Sequence, residues 1–407
     1  MITQMRIEGF KSFRKVDLKL GHLNLFVGTN ASGKSNFLDA LRILQGIGYG
    51  FTINEIFNGK PKSSASEVWE PIRGGSAKAA YIGEDKTEGG IINLSVTLQA
   101  LPQWGKALRY DIGISTQKIS VQYEKLSIDT SEIFHTGSLE NPLNDSRIEV
   151  RHNSGKKGIA GYLGLFDKSK PIIYQLLRGD KIPKGHREVI DYCLRALSNT
   201  QNVNPVPTIL RDYSRAEFVQ RMGERGENFA ALIKAIAASS QTKAAFVSWL
   251  QQLTPTEVDD VKILSGALGE PLFALIERNQ EYPAPILSDG TLRFAAITAA
   301  FFQPDLPDIL TIEEIENGIH PSRLRLLVEL LKSQSKQNLQ IIATTHSPIV
   351  LAWLKPEDYA TTFLCKRHEQ TGASVITPLN QIDRFLDLVH KHPIGDLFTE
   401  GWLEGVL

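Results

Sequence analysis

Cysteine is almost missing from this chain: Cys193 and Cys365 are the only two in 407 residues, far apart and in no CxxC spacing. A disulfide framework and a cysteine zinc site are thereby excluded. No apolar run is long enough to cross a bilayer, and the opening MITQMRIEGF has no signal-peptide pattern, so a cytoplasmic protein with no membrane partner is expected. Net charge is absent too. Forty-five basic side chains balance 45 acidic ones, so no global field draws the chain to nucleic acid and any DNA surface has to be a local patch. Internal repeats, low-complexity tracts and sustained heptads are not evident, which excludes a long coiled coil. With 42% hydrophobic and 22% charged residues, the chain can bury one large or two smaller cores.

What is present begins with GTNASGKS, Gly28 to Ser35. Gly28 and Gly33 let the backbone curl so that its N–H groups face a polyphosphate; Lys34 reaches the outer phosphates and the Ser35 hydroxyl can hold Mg²⁺. The context fits, because LNLFV (Leu23 to Val27) reads as a buried strand and Ser35 to Leu44 as a helix with apolar residues from Phe37 onward.

Three further motifs follow more than two hundred residues later. In DILTIEEIEN, Ile309 to Ile312 read as a buried strand that delivers Glu313 and Glu314 to its C-terminal edge, where α/β sheets bind ligands. Glu313 would bind Mg²⁺ through water, and Glu314 would orient and deprotonate an attacking water. Acidic residues after an apolar run are otherwise an ordinary solvated strand end. In QIIATTHSP a second buried strand, Gln340 to Thr344, puts His346 at its exit; it is either structural or a contact to the γ-phosphate and water. LSDG, Leu287 to Gly290, is on its plain reading only a turn before a helix, with Ser288 as N-cap and Gly290 in the first turn of a helix running through Phe301. On the functional reading, Ser288 and that N-terminus face a nucleotide bound on a second copy, which requires a symmetric dimer or higher oligomer.

The chain resembles the AAA-family ATPases of the RecF, SMC and OLD-like group, whose heads are of the ABC type. The likeness rests on IEGFKSF (Ile7 to Phe13), FVGTNASGKSNFLDALR (Phe26 to Arg42), LSDGTLRFAAI (Leu287 to Ile297), IEEIENGIHP (Ile312 to Pro321), TTHSPIVL (Thr344 to Leu351) and the ending IGDLFTEGWLEG (Ile394 to Gly405). It implies an α/β fold: a P-loop ABC-type ATPase head, a mixed sheet with an antiparallel β layer, split by an inserted helical arm. It also implies that ATP is bound by Gly28, Thr29, Asn30, Ala31, Ser32, Gly33, Lys34, Ser35 and Asn36 with Ser288 and Gly290. Ser35 and Glu313 would hold Mg²⁺, and Lys34, Glu314 and His346 would carry hydrolysis. Two positions depart from the pattern: Glu313 stands where many ABC heads have aspartate, and Ile315 where relatives commonly have proline. No Q-loop glutamine can be picked from Gln99, Gln103, Gln117 and Gln122. Members of this size often work beside a separately encoded effector, frequently a nuclease, in bacterial anti-phage or DNA-maintenance systems. No nuclease signature is visible here, so a sensor or regulator of such a partner is expected, with a RecF-like DNA-repair clamp as the alternative. The motor of a membrane transporter is disfavoured by the large arm and by the IEGFKSF start.

The expected organisation is residues 1–150 as the first half of the head, 151–284 as the helical arm and 285–407 as the second half. Strands are expected in MRIEGF, Ile92–Ala100, Leu108–Thr116 and Lys118–Ile128. Helices are expected over Arg187–Leu197, Asn228–Ala238, Ala244–Leu253 and Ser322–Lys336, with another in FLDLVHKHPIGDLF. Arg73, in the glycine loop EPIRGG, is a surface turn residue or a contact to phosphate or a partner. RHNSGKKG (Arg151 to Gly158) with Arg178, Lys181, Lys184 and Arg187 is solvated charge by default, or else a phosphate-backbone surface. Asn317 and His320, in ENGIHP, either report between two sites or form a plain turn before Pro321.

Overall fold

The structure, a computed structural model, describes residues 1–60, 69–83, 90–99, 101, 104, 107–137, 146–153, 160–179, 182–253, 258–336 and 339–401. The chain divides into two compact units. Unit 1 comprises 1–21, 28–200 and 365–377, and unit 2 comprises 22–27, 201–364 and 378–407.

Unit 1 is built on one antiparallel sheet. Its strands are β1 (Ile2–Phe10), β2 (Phe13–Lys19), β4 (Ile91–Leu98), β5 (Leu108–Ser115), β6 (Ser120–Ile128), β7 (Ser131–Gly137), β8 (Arg147–Asn153) and β9 (Ala160–Asp167), in the order β2-β1-β4-β5-β6-β7-β8-β9; β3 belongs to unit 2. Along β4 every second residue, Ile92, Leu94, Val96 and Leu98, is buried, the period-2 pattern of a sheet with one covered face. The helix that follows the phosphate loop, Lys34–Tyr49, packs on the helix Lys184–Ser198. Gly48 permits the close approach, since a Cβ there would lie 2.5 Å from the Ser198 nitrogen.

Unit 2 contains β3 (Leu23–Val27), β14 (Ile309–Ile312), β15 (Gln340–Thr345), all but the first residue of β10 (Thr200–Val203) and the first half of β16 (Thr362–Arg367), neighbours in the order β10-β14-β15-β3-β16. β14, β15, β3 and β16 run parallel in register: Ile312 pairs with Ala343, Thr345 with Val27, and Leu364 with Val27. Their residues are buried almost without interruption, as expected for parallel strands covered on both faces. The helices Phe229–Ala237, Asp289–Phe302 and Leu324–Ser335 contribute to the same apolar core as these strands. β11 (Val258–Ser265), β12 (Pro271–Glu277) and β13 (Gln280–Pro283) form a small antiparallel sheet.

Two expectations need correcting. The stretch 151–284 has the expected helices at Lys184–Ser198, Phe229–Ala237 and Ser240–Leu253, but it also carries β9 to β13, so it is not a helical arm. Short runs such as VDDVKILS become strands through their partners: Val261 pairs with Leu275 across an antiparallel ladder that local periodicity cannot reveal. FLDLVHKHPIGDLF is two short helices, Phe385–Val389 and Ile394–Thr399, because Pro393 cannot continue the first one. Among the described residues no helix is long and apolar enough to cross a membrane.

Candidate functional site

In unit 1 the phosphate loop is a cradle made of backbone. Gly33 has φ 109° and ends the loop as N-cap of the helix Lys34–Tyr49, and no side chain caps that helix. An uncapped N-terminus is a seat for an anion. Ala31 adopts a left-handed φ of 64°. A Cβ on Gly28 would lie 2.2 Å from the Cys365 carbonyl oxygen, and one on Gly33 would lie 2.6 Å from Ser374 Oγ, so neither position accepts a larger residue. Lys34 donates to the carbonyls of Gly28 (2.7 Å) and Thr29 (2.8 Å), which holds its ammonium over the loop. Ser32 Oγ is buried with no hydrogen-bond partner, an orphaned group that a phosphate oxygen would satisfy.

The first turn of this helix is braced by side chains from other parts of unit 1. The hairpin turn between β1 and β2 supplies Ser12, whose hydroxyl accepts from Asn36 Nδ2 at 2.7 Å. Lys11 pairs with the buried Asp39 one turn further along. Arg73 donates to the same carboxylate at 3.3 Å and to the Ser35 carbonyl at 3.1 Å. It is therefore both a residue of a surface turn and a brace on the loop's helix.

In unit 2 the strand ends β14 and β15 carry the acidic and histidine motifs at the same edge from which Gly28 follows β3 in the chain. Glu314 sits at φ 46°, a conformation that costs a non-glycine residue about 1–3 kcal/mol. Distant groups hold it there. Its N–H donates to Thr344 Oγ1 at 2.9 Å, and the Ile315 N–H donates to the Thr344 carbonyl at 3.1 Å. Arg293, buried on the helix Asp289–Phe302, donates to the carbonyls of Glu313 (2.9 Å) and Glu314 (3.2 Å), and also to Pro205 O (2.8 Å). Burial pulls the Arg293 pKa below the usual arginine value, while Glu314, Glu316 and Glu313 push it back up. Nothing in the spacing of LSDGTLR marks Arg293, because its partners lie 20 and 88 residues away in the chain.

His346 is half-exposed and leans on Glu316, which accepts from the His346 backbone N–H at 2.6 Å and faces its Nδ1 at 2.9 Å. Ser288 is the N-cap of its helix as expected and accepts from the Thr291 N–H at 3.1 Å. Gly290 sits against the turn after Glu316, where a Cβ would lie 2.4 Å from the Gly318 carbonyl oxygen. Arg211 latches the segment by donating to Leu287 O at 2.9 Å and pairing with Asp289 at 2.5 Å. His320 Nδ1 meets Ser322 Oγ at 2.8 Å, a local turn contact.

The arrangement fits a nucleotide with a hard metal ion. The loop offers backbone donors, a lysine and an orphaned hydroxyl. Among the described residues no three His, Cys, Asp or Glu side chains gather to enclose a metal, and Mg²⁺ beside phosphates needs only one or two protein oxygens.

Residues 1–98 match the family model described as "AAA ATPase domain", and 208–352 match "AAA domain, putative AbiEii toxin, Type IV TA system". Two solved structures share the fold. An SMC head bound to the C-winged helix domain of ScpA is 12% identical with a TM-score of 0.52, covering 93% of this chain and 98% of that one. An Smc head with an extended coiled coil, bound to the C-terminal domain of ScpA derived from Pyrococcus furiosus, has the same identity and TM-score and covers 96% and 99%. The chain is an ATPase with the fold of an SMC head. It is also 24% identical over 355 residues, 85% of each chain, to a Helicobacter pylori (strain ATCC 700392 / 26695) protein named ATP/GTP phosphatase.

Several of the basic side chains that could face a phosphate backbone are engaged within this ATPase. Arg151 pairs with Glu149 at 2.5 Å, Arg178 donates to Tyr174 Oη at 2.8 Å, and Arg187 donates to the Leu177 carbonyl at 2.7 Å. Lys181 and residues 154–158 lie outside the described residues, as do Gln103 and the end of IGDLFTEGWLEG from residue 402. Gln122 donates to Ser120 Oγ at 3.0 Å.

Proposed function

We propose that this ATPase binds ATP·Mg²⁺ through Gly28 to Asn36, with Ser35 and Glu313 on the metal, and hydrolyses it with Lys34, Glu314 and His346. Lys34 neutralises charge on the outer phosphates. Glu314 orients the attacking water and takes its proton, and His346 steadies the γ-phosphate and that water. The observation that carries the reading is the common edge of β3, β14 and β15, from which the loop, the carboxylates and the histidine all follow. Ligands bind at such C-terminal strand edges.

In this reading the site closes between two copies, because Ser288 and the N-terminus of its helix complete a partner's site. ATP state then regulates a separately encoded effector, a nuclease, in anti-phage defence. Two things favour a protein partner: the matched family is described by a toxin–antitoxin system, and the two SMC heads of the same fold are bound to ScpA domains.

Mass photometry of wild-type and Glu314→Gln protein, purified from the native operon with and without ATP·Mg²⁺, tests this. An ATP-locked dimer or larger assembly carrying a second protein is expected. A bare dimer would shift the function to direct DNA clamping, and a monomer in every condition would remove the shared site.

A further inference from the structure

Glu316 is assigned no role by the motif, which ends its chemistry at Glu314. Its carboxyl group is nevertheless buried, with about 9% of the residue exposed, and both polar groups it meets belong to His346. One oxygen, Oε1, accepts the His346 backbone N–H at 2.6 Å and stands 2.9 Å from Nδ1. The other, Oε2, is buried with no partner. Burying a carboxylate in this way costs free energy unless partners use its charge; the buried Arg293 guanidinium, whose pKa Glu316 helps to raise, is one such partner, and the contact with the imidazole is the other.

Resting on the reading of His346 given above, we propose that Glu316 is a positioning residue that fixes the tautomer and orientation of His346. Oε1 approaches Nδ1 within 2.9 Å, and an acceptor at that distance favours the tautomer that carries its proton on Nδ1. The lone pair is then on Nε2, the ring nitrogen on the side away from Glu316. That nitrogen can accept a hydrogen bond from the attacking water and, on gaining a proton, can donate to a phosphate oxygen. The hydrogen bond from the His346 backbone N–H holds the same oxygen beside the base of the ring. Glu316 lies two residues after Glu314, on the turn that packs against Gly290 of the Ser288 helix. The group that aims the histidine is therefore part of the turn that runs from Glu314 to the contact with Gly290.

The test is a double-mutant cycle in kcat and KM for ATP with Glu316→Ala, His346→Ala and the pair, alongside Glu316→Gln. Glu316→Ala is expected to lower kcat about 10- to 100-fold with KM nearly unchanged, and to add nothing further in the His346→Ala background. Glu316→Gln keeps an acceptor and should retain more of kcat than Glu316→Ala. Full additivity, an unchanged kcat, or a loss confined to KM overturns the proposal. If His346→Ala alone turns over ATP normally, the reading of His346 falls and the proposal with it. An activity-free check uses ¹⁵N-histidine NMR, with the His346 signal identified by its loss in His346→Gln. Nδ1 should carry the proton in wild type and lose that preference in Glu316→Ala. A tautomer identical in both overturns the proposal even if the variant is poorly active.

Discussion

Gly28–Ser35 and Ile312–Glu316 both turn the chain sharply at the end of a buried parallel strand, and they do so by different means. The phosphate loop is local. Gly28 and Gly33 remove the Cβ atoms that would strike Cys365 O and Ser374 Oγ, and the lysine bonds carbonyls five and six residues before it. The carboxylate bend contains no glycine before Gly318. Glu314 is held at φ 46° by Thr344 and Arg293, 30 and 21 residues away. A turn that has only to present backbone N–H groups can be made of glycine, whereas one that must present a carboxylate needs its strain offset from outside.

The largest effects should separate the two bends by what each does to ATP. Lys34→Ala and Glu314→Gln should each lower kcat by about 10²- to 10⁴-fold, but only Lys34→Ala should weaken ATP binding, as read by titration with a fluorescent analogue. Equal binding losses in both would break the contrast.

Arg293→Met should come next. It removes a buried donor from the carbonyls of Glu313 and Glu314, costing about 3 kcal/mol and lowering the melting temperature. It should also lower kcat while ATP still binds, and a variant that loses binding first would put Arg293 in the wrong bend.

A buried charge remote in sequence from both bends gives a control. Glu124 accepts from the N–H groups of Ile172 (2.6 Å) and Ile173 (2.8 Å) and from the Tyr110 hydroxyl (3.0 Å). Burial still pushes its carboxyl up from 4.5 to about 7, against the downward pull of those donors. The native state therefore keeps this proton after the unfolded chain has lost it. Stability from the group is full below pH 4.5 and declines as pH rises to about 7, by on the order of 3 kcal/mol. Denaturant titrations across that window should show the decline in wild type and a flatter profile in Glu124→Gln, with kcat at fixed pH unchanged.

The smallest effect is the sharpest for the comparison. Glu314→Gly should abolish turnover yet raise stability by less than about 1 kcal/mol, the strain relief being partly offset by glycine's entropy. A clear loss of stability would mean that Glu314 is not strained.

This contrast also explains what was legible in the sequence. The strands Leu23–Val27 and Ile309–Ile312, the Ser288 cap and the phosphate loop were readable because each is specified by neighbours within a few residues. Arg293, Glu316, Thr344 and the Lys11–Asp39 pair were not, since their roles come from partners that only the folded chain brings together. The strands within 151–284 were missed for the same reason, as β10 is a strand because it lies beside β14.

The most direct test of the proposed shared site mixes Lys34→Ala and Ser288→Arg proteins, each expected to be inactive alone, and measures ATP turnover. In a mixed dimer one site would have both its loop and the facing Ser288 intact. Random pairing should therefore restore about a quarter of wild-type activity. A mixture as inactive as its two parents would contradict a site built from two copies of this chain.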